Sequence, residues 1–168
     1  SWKKNGLNRV LESRLDGSGK GVNVAIACRQ IGLDSACTGF LYKRNGDIIQ
    51  KRLDDNGVIS DFVWNDGEVR TNLKIADLAD GTYTEVNERG VPVTEEQLAQ
   101  VKEKIKNLAP SSEIMVFTGS LPPGCPKDFY KQLIEAVSPY PVKCILDAEG
   151  EVLTKGVEAV PFLIKPNL

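Results

Sequence analysis

Five short stretches of the sequence gather charged, amide or hydroxyl side chains, four of them beside glycine or proline, a combination that lets backbone approach an anionic ligand closely. The first is Gly17-Ser18-Gly19-Lys20-Gly21-Val22-Asn23, where a glycine-rich turn runs into an apolar helical pattern and Lys20 adds a point charge. It is not a Walker A loop, because Gly21 follows Lys20 where that loop needs Ser or Thr, nor a dinucleotide fingerprint, whose third glycine would be misplaced. By itself it fits a helix-capping turn or an anion site. The second is Arg70-Thr71-Asn72-Leu73-Lys74, in which Arg70, Asn72 and Lys74 share one face of an expected strand. That face is either a cationic surface for phosphate or a solvated edge. Thr118-Gly119-Ser120-Leu121-Pro122-Pro123-Gly124 follows a run of apolar residues and is either a ligand loop or a rigid connection. Asp147-Ala148-Glu149-Gly150 and Lys165-Pro166-Asn167 each follow an expected strand, with Asp147 readable as a helix cap or a polar ligand contact.

Other chemistry is excluded. The 168 residues contain no histidine, so this chain alone cannot supply a histidine base, a Ser/His/Asp or Cys/His nucleophile or a histidine-bound metal. Acid–base work falls to Asp, Glu, Lys, Cys or Tyr. The four cysteines, Cys28, Cys37, Cys125 and Cys144, form no C-x-x-C pair and sit among apolar or small neighbours, as buried reduced thiols do. With 21 Lys and Arg against 23 Asp and Glu, the net charge of −2 carries no excess suited to nucleic acid or a membrane surface. No apolar run approaches a membrane span and no secretory pattern opens the chain, so a reducing cytoplasm is the expected compartment.

These residues need elements to hold them. A helix is expected from Lys20 to Ile31, a strand from Ser35 to Leu41 and a helix from Gly46 to Asp55, stopped by Asn56-Gly57. Arg9–Arg14 reads as a short strand. From Ile59 to Asn87 the texture becomes short β-type runs, with Asp66-Gly67 and Asp80-Gly81 as hairpin turns. Thr94-Glu95-Glu96-Gln97 is a capping box opening a helix that presents Leu98, Val101, Ile105 and Leu108 on one face. Thereafter strand and helix alternate: Ile114–Thr118, a helix from Pro126, Val142–Leu146, Glu149–Lys155 and Phe162–Ile164. Such alternation implies a parallel sheet, whose ligands bind beyond the carboxyl ends of the strands.

Taken in order, the motifs resemble those of the PfkB-type carbohydrate kinases of the ribokinase-like superfamily, within it the branch of 1-phosphofructokinases and tagatose-6-phosphate kinases. That family carries N-R-V, G-G-K-G-x-N-V-A, R-T-N-x-K, G-S-L-P-P-G, D-x-x-G and K-P-N-x-x-E. This chain shows Asn8-Arg9-Val10, Gly19–Ala25, Arg70–Lys74, Ser120–Gly124, Asp147–Gly150 and Lys165–Asn167. The resemblance implies a three-layer α/β/α fold with a parallel central sheet and a small β lid, drawn from about residues 9–14 and 59–87, closing over the sugar. Residues 1–168 would be the substrate-binding part of a single domain. By the same resemblance Gly19 and Asn23 contact the sugar, and Lys20, Arg70 and Lys74 lie near the substrate phosphate. Ser120 contacts the sugar phosphate, while Lys165 and Asn167 face ATP and Mg2+.

The implied reaction is ATP-dependent phosphorylation of a ketohexose phosphate, fructose 1-phosphate to fructose 1,6-bisphosphate. The alternatives are tagatose 6-phosphate or fructose 6-phosphate as substrate, or a non-catalytic sugar-phosphate-binding fragment. The partner is then a small sugar phosphate, and open lid edges leave room for pairing between two copies. Two departures stand out. Ser18 replaces the usual first glycine of G-G-K-G. Family members also run to roughly 300 residues, so the catalytic Asp of their G-A-G-D element is expected beyond Leu168, no base is assigned within the chain, and the 168 residues alone are expected to be inactive.

Overall fold

A computed structural model describes residue 3 and residues 5–166. Asn167 lies outside the described residues. Helix α1 (Lys20–Gln30) buries Val22, Ala25 and Ile26, an i, i+3, i+4 stripe. Strands β1 (Ala36–Cys37) and β2 (Phe40–Arg44) lead to α2 (Gly46–Asp55), which buries Ile49 and Leu53. The chain returns as β3 (Ile59–Ser60) and β4 (Val63–Glu68). β3 pairs parallel with β1 and β4 with β2, α2 being the crossover that a parallel pair requires. The amide of Val63 bonds the carbonyl of Gly39 at 2.9 Å between the two pairings, so together they make one bent ladder.

The expected turn at Asp66-Gly67 is absent. Tyr42 pairs with Asn65 but Arg44 with Glu68, which leaves an extra residue on β4. Asp66-Gly67 is thus taken up as a bulge, where glycine at φ +111 bends the strand without ending it. Asp80-Gly81 does turn, joining β5 (Asn72–Asp77) to β6 (Thr82–Asn87) as an antiparallel hairpin.

The capping box forms as expected at α3 (Glu95–Leu108). The Gln97 amide donates to Thr94 Oγ1 at 3.3 Å and the Thr94 amide to Gln97 Oε1 at 2.8 Å. β7 (Ile114–Thr118), α4 (Phe129–Val137), β8 (Lys143–Asp147), α5 (Gly150–Gly156) and β9 (Leu163–Ile164) follow. β7, β8 and β9 lie in that order, all parallel. One core packs Met115, Phe117, Cys144 and Leu146 of this sheet against Leu98, Val101 and Ile105 of α3 and Leu133, Ile134 and Val137 of α4. The other packs α1 and α2 against Cys37 and Leu41. Phe40 and Val63 face the first core, so β2 and β4 carry helices on both sides.

Two parts of the expected lid are corrected. Residues 9–14 form no strand, and Val10 and Leu11 are 78% and 94% exposed, because no described strand pairs with them to satisfy their backbone. β3 and β4 belong to the parallel ladder, paired with β1 and β2, and Val63 of β4 is buried in the first core. What stands apart is the hairpin β5–β6.

Candidate functional site

The carboxyl ends of β7, β8 and β9 lie side by side. Thr118 is the register partner of Asp147, and the amide of Lys165 bonds the carbonyl of Leu146 at 2.9 Å. Asp147 is the hub. Its Oδ2 accepts from Thr118 Oγ1 at 2.9 Å, its Oδ1 accepts from Lys165 Nζ at 3.2 Å, and Lys20 Nζ lies 3.7 Å from that same Oδ1. The carboxylate is 15% exposed while the lysines are 46% and 60% exposed, so the ammonium groups cover it from the solvent side. Burial acts to raise the Asp147 pKa. The bonds from Thr118 and Lys165, with the charges of Lys20 and Lys165, outweigh it and hold the carboxyl below its ordinary value. An acid whose ionised form is favoured in this way serves as a counter-ion rather than a proton acceptor tuned to neutral pH.

α1 brings Lys20 here. Gly21 packs beside the methyl of Thr118, 3.8 Å from where a Cβ would sit, so the helix starts over the end of β7. Gly19 caps the helix in extended conformation with no side-chain bond, leaving the approach to the first amides open. One turn on, Asn23 Nδ2 donates to Ser18 Oγ at 3.3 Å.

The loop after β7 leaves through Gly119 at φ +102, whose carbonyl accepts from the buried Tyr130 hydroxyl at 2.9 Å. Ser120 follows, and Arg70 Nη2 donates to its Oγ at 3.3 Å. The loop is then pinned at Gly124, where the amide of Val93 bonds the carbonyl of Pro123 at 2.9 Å. Arg70 does not lie on β5, as the period-2 pattern suggested, but precedes it. Its charge opposes the burial that raises the Tyr42 pKa, and Tyr42 in turn bonds the carbonyl of Val91 at 3.0 Å.

The structure therefore brings Lys20 and Lys165 together on one carboxylate and sets Arg70 on Ser120, two residues beyond Thr118. Lys74 is elsewhere: it sits on the hairpin, paired with Glu85 at 3.0 Å, its register partner on β6. Asp147 is not a helix cap, because Glu149 holds that position for α5. Thr118 and the hub role of Asp147 escaped sequence reasoning; the available signal was a polar residue at the end of each adjoining parallel strand. The other carboxylates considered as bases lie apart from the hub, Asp16 on Arg14 at 2.8 Å and Asp61 on Lys104 of α3. Among the described residues no group of three or more His, Cys, Asp or Glu could hold a metal ion, so no residue here is assigned to Mg2+. Burial raises the thiols of Cys37 and Cys125 to about 11 and about 12, the second with help from Asp128 and Glu95. No helix among the described residues is long and apolar enough to cross a membrane.

Residues 3–168 match the pfkB family of carbohydrate kinases. The chain belongs to that family. It is 35% identical over 167 residues to the 1-phosphofructokinase of Borreliella burgdorferi, covering 99% of this chain and 53% of that protein. It is 32% identical over 161 residues to the D-tagatose-1-phosphate kinase of Bacillus licheniformis, covering 96% and 52%. The crystal structure of a possible 1-phosphofructokinase from Thermotoga maritima superimposes with a TM-score of 0.90 at 26% identity, covering 99% of this chain and 54% of that one. The pfkB chain thus spans about half the length of the curated relatives it matches, and its fold is ribokinase-like.

Proposed function

We propose that this pfkB chain forms the sugar-phosphate side of a kinase that transfers phosphate from ATP to fructose 1-phosphate, giving fructose 1,6-bisphosphate. The observation that carries it is the cationic mouth at the ends of β7–β9, where Lys20 and Lys165 share Asp147 and Arg70 reaches Ser120. Phosphoryl transfer needs positioning and charge neutralisation more than covalent chemistry. Lysine, arginine, hydroxyl and glycine-turn amides supply both without histidine.

In this reading Arg70 and Ser120 bind the phosphate already on the sugar, a planar guanidinium and a hydroxyl being suited to an oxyanion. Gly19 and Asn23 hold the sugar hydroxyls, with Asn23 oriented by Ser18. Lys20 and Lys165 hold the phosphoryl group in transfer, Lys165 and Asn167 facing the nucleotide. Mg2+, when bound, supplies charge neutralisation on the nucleotide phosphates. Residues 1–168 are proposed as part of a single domain, with the hairpin β5–β6 as the lid that excludes water from the sugar. Lys74, paired with Glu85, stiffens that lid rather than touching phosphate in the described conformation. The open edges of the hairpin, where Leu73, Tyr83 and Val86 are exposed, are the proposed contact between two copies.

A second role, binding without turnover, is favoured for residues 1–168 taken alone. Asp16, Asp61 and Asp147 are each engaged by a cation, and none is assigned to take the sugar hydroxyl proton. The base is proposed to come from polypeptide outside these residues. Calorimetry of the chain with fructose 1-phosphate, fructose 6-phosphate, tagatose 1-phosphate, tagatose 6-phosphate and fructose tests the reading, alongside ADP release with ATP. Fructose 1-phosphate is expected to bind best and turnover to be at background. Equal binding of fructose and its phosphates would refute the phosphate site.

A further inference from the structure

Two ammonium groups brought to one place repel unless a negative charge lies between them. Here that charge is a single oxygen, Asp147 Oδ1, with Lys165 Nζ at 3.2 Å and Lys20 Nζ at 3.7 Å. The other oxygen is held by Thr118 Oγ1 at 2.9 Å, which anchors the carboxylate from the sheet, while each lysine reaches it on a flexible four-carbon stem. The lysines come from different parts of the chain, Lys20 from the first turn of α1 and Lys165 from the residue after β9. Their heads are accessible and the carboxylate lies beneath them, so an anion arriving from solvent meets both ammonium groups before it meets Asp147.

We propose that Asp147 is a positioning residue that keeps Lys20 and Lys165 together as a two-ammonium clamp and gives both up to one incoming phosphoryl group. Asp147 stands in for the anion in the empty state. A phosphoryl group carries more charge and more acceptor oxygens than one carboxylate oxygen, so the exchange runs toward the ligand. Thr118 keeps the carboxylate from following the lysines outward. Identifying that phosphoryl as the one transferred rests on the kinase reading above; the clamp itself does not, and it is tested with an anion that contains no sugar.

The 168-residue chain with isotope-labelled lysine side chains is titrated with inorganic tripolyphosphate, and the Lys20 and Lys165 Cε and Nζ resonances, assigned with Lys20→Met and Lys165→Met, are followed by NMR. Both are expected to move with one common Kd. Asp147→Asn is expected to shift both unliganded resonances toward those of freely solvated lysines. It is also expected to lower the Kd at least threefold, because the competing carboxylate charge is gone. Thr118→Val, which removes no charge but frees the carboxylate to follow the lysines, is expected to raise the Kd, and carries the test if Asp147→Asn does not fold. Lys20→Met is expected to weaken the response of Lys165 at least threefold. The proposal is overturned if the two lysines respond with different Kd values, if only one responds, if Asp147→Asn leaves the Kd unchanged or raises it, or if Thr118→Val leaves it unchanged or lowers it. Equal binding of fructose and its phosphates by the same chain would sink the sugar-phosphate reading and leave these resonances as they are.

Discussion

Gly124→Ala should cost this protein more stability than Gly119→Ala, although both replace a left-handed glycine in the loop that carries Ser120. The two positions have φ of +82 and +102, so each alanine takes on the left-handed penalty, about 1–2 kcal/mol. Their surroundings differ. At Gly119 the nearest atom to a new Cβ is the Tyr130 hydroxyl at 3.9 Å, an ordinary contact. At Gly124 a Cβ would lie 2.6 Å from the carbonyl oxygen of Val93, which is backbone and cannot rotate away. Relief requires the loop to back off from residue 93, and that breaks the bond from the Val93 amide to the Pro123 carbonyl. The lost bond adds about 0.5–1.5 kcal/mol. Gly124→Ala is then expected at about 1.5–3.5 kcal/mol and Gly119→Ala at about 1–2 kcal/mol. For a chain of this size each kcal/mol moves Tm by about 2–4 °C. Urea unfolding of both variants beside the parent, checked by thermal melts, measures the difference. Equal losses would show that backbone conformation alone sets the cost and that contact with residue 93 contributes nothing.

Arg70→Ala is expected to weaken fructose 1-phosphate binding by about 1.5–3 kcal/mol, the range for a hydrogen bond to a charged group, while leaving fructose binding unchanged; calorimetry with both sugars decides, and equal losses would remove Arg70 from the phosphate. The depressed Asp147 pKa gives a pH-dependent term of known sign. Its contribution to stability is full above the unfolded aspartate value of about 3.9 and is lost as pH falls through the lower folded value. The parent should therefore lose its stability advantage over Asp147→Asn only in that acid window, as urea unfolding at pH 6, 4 and 3 would show; an advantage lost already at pH 5–6 contradicts it. Cys37 and Cys125, with thiol values near 11 and 12, should resist iodoacetamide at pH 8 in the folded protein and react on unfolding, by mass spectrometry.

What was legible beforehand was local or ordered along the chain. Thr94 and Gln97 announce the start of α3 because a capping box is a contact three residues long. The alternation after Thr94 gives the parallel sheet, and the serial order of motifs gives the family. What was not legible depends on partners distant in sequence. Residues 9–14 have strand-like composition, yet no described strand lies beside them, and composition cannot report that. Asp66-Gly67 has turn chemistry but sits opposite β2, whose pairing extends to Arg44 and turns the dipeptide into a bulge. The hub at Asp147 unites residues 20, 118, 147 and 165, and nothing in their spacing says that the ends of three strands and one helix meet.

The hairpin β5–β6 leaves every side chain of β6 exposed. Its strands pair within a span of 16 residues, from Asn72 to Asn87, and neither contributes to either core. An element held mainly by its own ladder opens at a free energy far below that of global unfolding, so its amides should exchange with solvent deuterium long before those of β7 and β8. Arg70 stands at the root of this hairpin. A sugar phosphate seated on Arg70 would be read out as slowed exchange along β5 and β6, some distance from any atom that touches it. The cation proposed to recognise the substrate sits where the chain opens most cheaply, and part of the binding energy would be spent on closing it.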